Sequence, residues 1–123
     1  MIVSTLRALC LTVLLMLTAC GEPSQQKAPS TPMPAASTLK PADAALASLY
    51  EQSCKACHAN PASGAPQAGD RAAWQPRVAQ GMGTLIDHTV NGYKGMPPLG
   101  SCMDCGEDEF AALIAFMSGE PGT

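Results

Sequence analysis

The chain has 123 residues, with 7 Lys and Arg against 10 Asp and Glu, and its aromatic supply is one Trp, two Tyr and two Phe. A formal net charge of −3, with no cluster of Lys and Arg, argues against nucleic acid as a partner, because phosphate binding rests on clustered bases. The portion that reads as folded is about 80 residues, small enough that a staple or a cofactor is expected to complete its core.

The first segment reads as an export signal. Arg7 is followed by a nearly continuous apolar run from Ala8 to Leu17, then by small residues before Cys20. The run is short for a membrane span, and Gly21-Glu22-Pro23 ends it. Leu17-Thr18-Ala19-Cys20 resembles the lipobox of bacterial lipoproteins, which implies cleavage before Cys20 and lipidation of that cysteine. Ordinary cleavage to a soluble periplasmic protein is the alternative. Removing residues 1–19 takes away Arg7 alone, so six basic residues face ten acidic ones and the mature chain carries −4. A docking partner is then expected to present a basic patch.

Residues 20–40 are rich in Pro, Ser, Ala and Gln and hold almost nothing large enough for a core, so they are expected to form a disordered tether. Its reach is on the order of 60 Å at most. The folded domain is expected over residues 41–123.

The domain reads as all-α, with about four short helices and no competing strand signal. A first helix is expected after Pro41, from Ala42 to Cys54, with Leu46, Leu49, Tyr50 and Cys54 on one face. Asp70 caps a short turn through Trp74, and Pro76 restarts a second short helix to Gln80, because a proline in a single long helix would clash there. Thr84 and Asp87 have the spacing of a capping box for a helix of about two turns, with Leu85, Ile86 and Val90 apolar and Gly92 at the exit. The last helix begins at Glu107, Asp108 and Glu109, buries Phe110, Leu113, Ile114 and Met117, and stops at Gly119 and Pro121.

Two Cys-x-x-Cys pairs remain once Cys10 and Cys20 are set aside. Cys54-Lys55-Ala56-Cys57-His58 is the c-type haem attachment pattern. Two thiols add across two vinyl groups, and the next residue supplies a ligand to the iron. His58 is therefore the expected proximal ligand, with its other ring nitrogen donating to a backbone carbonyl. The candidate carbonyl is that of Pro66, in Gly64-Ala65-Pro66, which can equally be read as a plain surface turn.

Met96 is the expected second axial ligand, because Gly95-Met96-Pro97-Pro98 holds it in a stiff, non-helical loop. Met82 is its rival among methionines, and Met117 reads as core. His88 is expected to be an ordinary solvated histidine rather than a second imidazole ligand. Thioether ligation closes the iron to exogenous ligands and favours electron transfer over catalysis. Cys102-Met103-Asp104-Cys105 lacks the histidine of the first pair, and in an exported protein a local disulfide is its simplest state. A redox-active thiol pair is the alternative.

The stretch from about Ala45 to Met117 resembles the class I c-type cytochromes, and specifically the bacterial cytochrome c-five family. The resemblance rests on Cys54 to His58, Gly64-Ala65-Pro66 with Gly69-Asp70, Trp74-Gln75-Pro76-Arg77 running to Gly81, and Gly92-Tyr93-Lys94-Gly95-Met96-Pro97-Pro98 followed by the Cys102 and Cys105 pair. It implies a small helical fold around one covalent haem c, His58 and Met96 as axial ligands, and a Cys102–Cys105 disulfide. It also implies places near the haem for Trp74 and Arg77, the alternatives being a core aromatic and a surface charge. The expected function is single-electron transfer without enzymatic catalysis, between donor and acceptor proteins of a respiratory chain. Cys20 would hold the carrier to a membrane on the periplasmic side of the bacterial cell envelope. A haem peroxidase or reductase, a gas sensor and an oxidase subunit are the competing readings.

Overall fold

The first described turn lies upstream of the expected domain start. The computed structural model describes residues 35–120, so the signal segment, Cys20 and the tether up to Pro34 lie outside the described residues. Ala36–Thr38 form a 3₁₀ turn, and Ala36 and Leu39 pack on the hydrophobic core. The last residues of the stretch read as tether are thus part of the fold. A Cβ on Gly69 would sit 2.7 Å from Leu39 Cδ1, so the glycine makes room for this contact.

Helix α1 (Ala44–Leu49) starts at Asp43, whose carboxylate accepts from the Leu46 N–H at 2.8 Å, rather than at Pro41. It passes through a π turn (Tyr50–Cys54) into α2 (Lys55–His58), giving one continuous helical rod that extends past Cys54 to His58. Tyr50 is fully buried in this rod and meets Phe116 edge to face, with ring centroids 5.0 Å apart. Such a contact contributes about 0.5–1.5 kcal/mol beyond the area it buries.

Helix α3 (Arg71–Val78) is capped by Asp70, which accepts from the Ala73 N–H at 3.1 Å. It is one helix with Pro76 inside it, not two short ones divided there. Pro76 leaves the Ala72 carbonyl without its ladder donor, but the next carbonyl, of Ala73, gains the Arg77 guanidinium, and α3 ends two residues after the proline. Trp74 is buried on its inner face.

Helix α4 (Met82–Asn91) begins three residues earlier than the Thr84 cap predicts, directly after Gly81 at φ +89°. Thr84 therefore lies inside the first turn, where its hydroxyl donates to the Gln80 carbonyl at 3.0 Å instead of capping. Leu85 and Thr89 are the buried positions, and Val90 is exposed; the Thr89 hydroxyl is satisfied by the Leu85 carbonyl at 2.8 Å. A loop then carries Tyr93 and Met96 to a 3₁₀ turn (Pro98–Ser101) that packs back on α4.

Helix α5 (Glu107–Ser118) closes the core with Phe110, Leu113, Ile114 and Met117 buried, as its periodicity predicts. Gly106 stands at its start, with its N–H donating to the Glu109 carboxylate at 2.9 Å, and Gly119 ends it at φ +72°. Burying a side chain such as Leu113 stabilises the fold by roughly 1.5–3 kcal/mol. Helix α5 packs against α1, α3 and α4, so it is the element on which the others converge. Among the described residues there is no strand, only an isolated bridge between Tyr93 and Met96.

Candidate functional site

Cys54 is the last residue of the π turn, and Cys57 and His58 follow on α2, so all three fall within about one turn of helix. Neither Cys54 nor Cys57 is disulfide-bonded. Cys54 leans into the core, and burial pushes its thiol up to about 11, which keeps it protonated at neutral pH; Cys57 is exposed.

His58 is buried, and its Nδ1 lies 2.8 Å from the Pro66 carbonyl. A carbonyl only accepts, so Nδ1 carries the proton and Nε2 keeps its lone pair. Burial holds the imidazole below its ordinary pKa, the Pro66 contact opposes this, and the Arg77 charge adds to the lowering. The result is a neutral ring of fixed tautomer, the state a metal ligand needs. Trp74 stacks on that ring with centroids 5.6 Å apart and planes 27° from parallel, and its Nε1 donates to the Gln67 carbonyl at 2.9 Å. Trp74 therefore packs directly behind the histidine, and Arg77 stands within electrostatic reach of it.

The loop that offers these carbonyls is held by residues that no sequence pattern singles out. The Ser63 hydroxyl lies 2.7 Å from the Cys57 and Asn60 carbonyls, and Gln67 Nε2 donates to the Asn60 and Ala65 carbonyls at 3.1 and 2.9 Å. Ala68 N–H donates to the His58 carbonyl and Gly69 N–H to that of Met117, each at 2.7 Å. Residues 66–69 thus tie His58, Trp74 and α5 together.

Met96 is placed by a separate part of the chain. It exchanges two backbone hydrogen bonds with Tyr93, at 3.1 and 3.0 Å, and is half-buried. Gly100 leaves space for its methyl: an added Cβ there would lie 3.0 Å from Met96 Cε. Met117 is buried in the core, Met103 is 78% exposed, and Met82 is the first residue of α4. His88 is not a freely solvated residue; it is half-buried, with its ring stacked on Tyr93. Cys102 and Cys105 are joined by a disulfide with Cα atoms 5.4 Å apart. Between Met96 and this bridge, Leu99, Gly100 and Ser101 all have positive φ, at 58°, 54° and 64°. The bridge therefore clamps the end of a segment whose backbone is costly to hold.

These residues fit a covalent haem. Two unpaired sulfurs stand one turn apart, the following histidine keeps Nε2 free, and a thioether waits in a loop. The Tyr50 hydroxyl, whose pKa is raised by burial and by the neighbouring Cys54 and Glu51, is buried without a hydrogen-bond partner. Among the described residues, no three His, Cys, Asp or Glu side chains gather into a metal site of their own.

Residues 31–117 match the family model described as cytochrome C oxidase, cbb3-type, subunit III. The chain is 41% identical over 81 residues to cytochrome c-555 of Chlorobaculum tepidum, covering 63% of this chain and 75% of the relative. It is 43% identical over 68 residues to cytochrome c5 of Azotobacter vinelandii, covering 54% and 82%. A solved structure described as an electron transfer complex of nitrite reductase with cytochrome c superposes with a TM-score of 0.55 at 36% identity, covering 63% of this chain and 94% of that one. The shared helical architecture, the cysteine and histidine pattern and these likenesses converge: the chain belongs to the class I c-type cytochromes, single-haem electron carriers that hold haem c covalently.

Proposed function

We propose that Cys54 and Cys57 carry the haem through thioether bonds, that His58 and Met96 are its axial ligands, and that the carrier moves single electrons between respiratory-chain proteins. The observation that carries this reading is the His58 contact with Pro66, which leaves Nε2 as the only ring nitrogen with a free lone pair. Bound haem c supplies an iron that alternates between the ferrous and ferric states. The protein's part is to keep both states in one geometry. Trp74 and Pro66 fix the plane and tautomer of His58, and the Tyr93 turn with the Cys102–Cys105 bridge limits the travel of Met96. A site with little rearrangement between redox states, and with both axial positions filled, suits outer-sphere electron transfer rather than bond chemistry on a substrate.

The lipobox-like Leu17-Thr18-Ala19-Cys20 supports a carrier lipidated at Cys20 and held to a membrane on the periplasmic side of the bacterial cell envelope. The tether over residues 20–40 and the domain over residues 41–123 belong to the same reading, and Leu39 packs on the core just before that boundary. Its partners are then redox donor and acceptor proteins within reach of that membrane, the likeness to the nitrite reductase complex supporting a protein acceptor. The family description favours a second reading, a docking subunit of an oxidase complex.

The test is the absorption spectrum of haem-matured protein, ferric and ferrous, with and without carbon monoxide, for the wild type and Met96→Ala. A ferric methionine-to-iron charge-transfer band that disappears in the variant, with indifference of the wild type to carbon monoxide, is the expected result. A wild type that lacks the band or binds carbon monoxide readily refutes the closed carrier. Mass spectrometry of membrane-extracted protein should find an acylated N-terminus at Cys20, and an unmodified start elsewhere refutes the anchor. Retention in a stable oxidase complex would select the subunit reading.

A further inference from the structure

We infer that His88 is a positioning residue for Met96: its ring, stacked on Tyr93, holds closed the turn that presents the thioether. The inference rests on Met96 being an axial ligand. His88 sits in the last turn of α4, and its ring and that of Tyr93 are 4.0 Å apart at their centroids and 14° from parallel. Tyr93 in turn exchanges both of its backbone hydrogen bonds with Met96, at 3.1 and 3.0 Å. A continuous physical connection therefore runs from the helix through two rings and a paired backbone to the thioether-bearing residue.

The backbone around Tyr93 does not hold this arrangement by itself. Gly92 before it, at φ +82°, lies close to the Met96 carbonyl and Pro98 but has no side chain to hold the Tyr93 ring, and Lys94 after it is at φ +55°, a conformation that a non-glycine residue keeps only when its surroundings impose it. Tyr93 is 42% exposed, so burial alone does not pin its ring either. What remains is the His88 face and the Lys94 ammonium, 5.1 Å from the ring centroid. Of these, only His88 is fixed to a regular element.

Removing the stack should let the turn open more often, so that an outside ligand replaces Met96 more readily. The exchange breaks one iron–sulfur bond and forms one iron–nitrogen bond, and no electron moves. An aromatic stack of this kind weighs about two- to tenfold in such an equilibrium.

The test is an imidazole titration of the ferric, haem-loaded full chain, following the methionine-to-iron charge-transfer band, in the wild type, His88→Ala, His88→Phe and Met96→Ala. Far-UV circular dichroism and thermal melting confirm that each variant is folded. The expected result is imidazole binding about two- to tenfold tighter in His88→Ala and restored to the wild-type value in His88→Phe, which keeps a flat ring. Wild-type affinity in His88→Ala, or failure of His88→Phe to restore it, overturns the inference. If Met96→Ala retains the band, the ligand assignment itself fails and the inference falls with it. Loss of the band in Met96→Ala together with a silent His88→Ala overturns the positioning role alone.

Discussion

Gly92→Ala and Gly64→Ala make a matched pair, because both glycines have positive φ but only one has neighbours. Gly92 leaves α4 at φ 82°, ψ 150°, a region that other residues occupy at a cost of about 1–3 kcal/mol. An added Cβ would also lie 3.0 Å from the Met96 carbonyl oxygen and the Pro98 nitrogen, and 3.1 Å from Pro98 Cδ. Two of those atoms are backbone and the third is part of a rigid ring, so none can swing aside, and moving the Met96 to Pro98 stretch costs about 1–3 kcal/mol more. The sum is roughly 4 kcal/mol, which in a domain of this size lowers the melting temperature by about 15–30 °C. Gly64 is at φ 74°, with nothing within 4 Å of its added Cβ, so it should pay only the left-handed backbone cost of about 1–2 kcal/mol. Thermal melts of the haem-matured ferric protein, followed by circular dichroism and by the charge-transfer band, measure both effects. Gly92→Ala should lose the band well below the temperature at which helicity is lost, and Gly64→Ala should lose the two together. Equal destabilisation by the two substitutions, with the band intact in both, refutes the claim that close backbone approach at Gly92 sets the Met96 loop.

Tyr50→Phe removes a buried hydroxyl that has no hydrogen-bond partner, so denaturant unfolding of the matured protein should find it neutral or slightly more stable at neutral pH. Its pH dependence has a definite sign. The folded-state pKa of Tyr50 is raised, mainly by burial, so its contribution to stability is fully present below about pH 10 and is lost as pH rises through the folded value; Tyr50→Phe should lack that alkaline loss. Reducing the Cys102–Cys105 bridge, or replacing both with Ala, should cost about 2 kcal/mol from the short loop it closes, and should release the positive-φ segment beside Met96, read as a weaker charge-transfer band. An unchanged band in the reduced protein would place the bridge outside the control of that loop.

The features legible in the chain are those whose signal is local. The last helix is written in consecutive acids, a periodic apolar face and Gly119, all of which act within the helix itself. The attachment motif is contiguous for the same reason that its chemistry is, and Gly64-Ala65-Pro66 marks a turn because glycine there takes φ +74°. Features decided by distant contacts were not legible. Leu39 looks like tether because Pro, Ser and Ala surround it, and what folds it is a gap over Gly69. Pro76 reads as a break, yet α3 continues: Trp74, two residues earlier, is anchored to the Gln67 carbonyl and the His58 ring, and Arg77 supplies a donor to the Ala73 carbonyl. His88 reads as solvated from its helix face, since its stacking partner lies beyond the end of that helix, where helical periodicity carries no information. The π turn at Tyr50–Cys54 has no sequence signature of its own; the pairing of Tyr50 with Phe116 is a tertiary fact.

The segment from Pro66 to Gly69 also bears on the order in which the molecule assembles. Its links to His58 and Trp74 join positions eight and seven apart, and closing loops of that length takes on the order of 10–100 ns. The links from Gly69 to Met117 and from Arg71 to Gly119 each join positions 48 apart and carry a larger closure entropy. On closure entropy alone, the histidine and its support are expected to form before the C-terminal helix docks. Substitutions at Gln67 or Trp74 should slow folding, whereas substitutions on the outer face of α5 should chiefly speed unfolding.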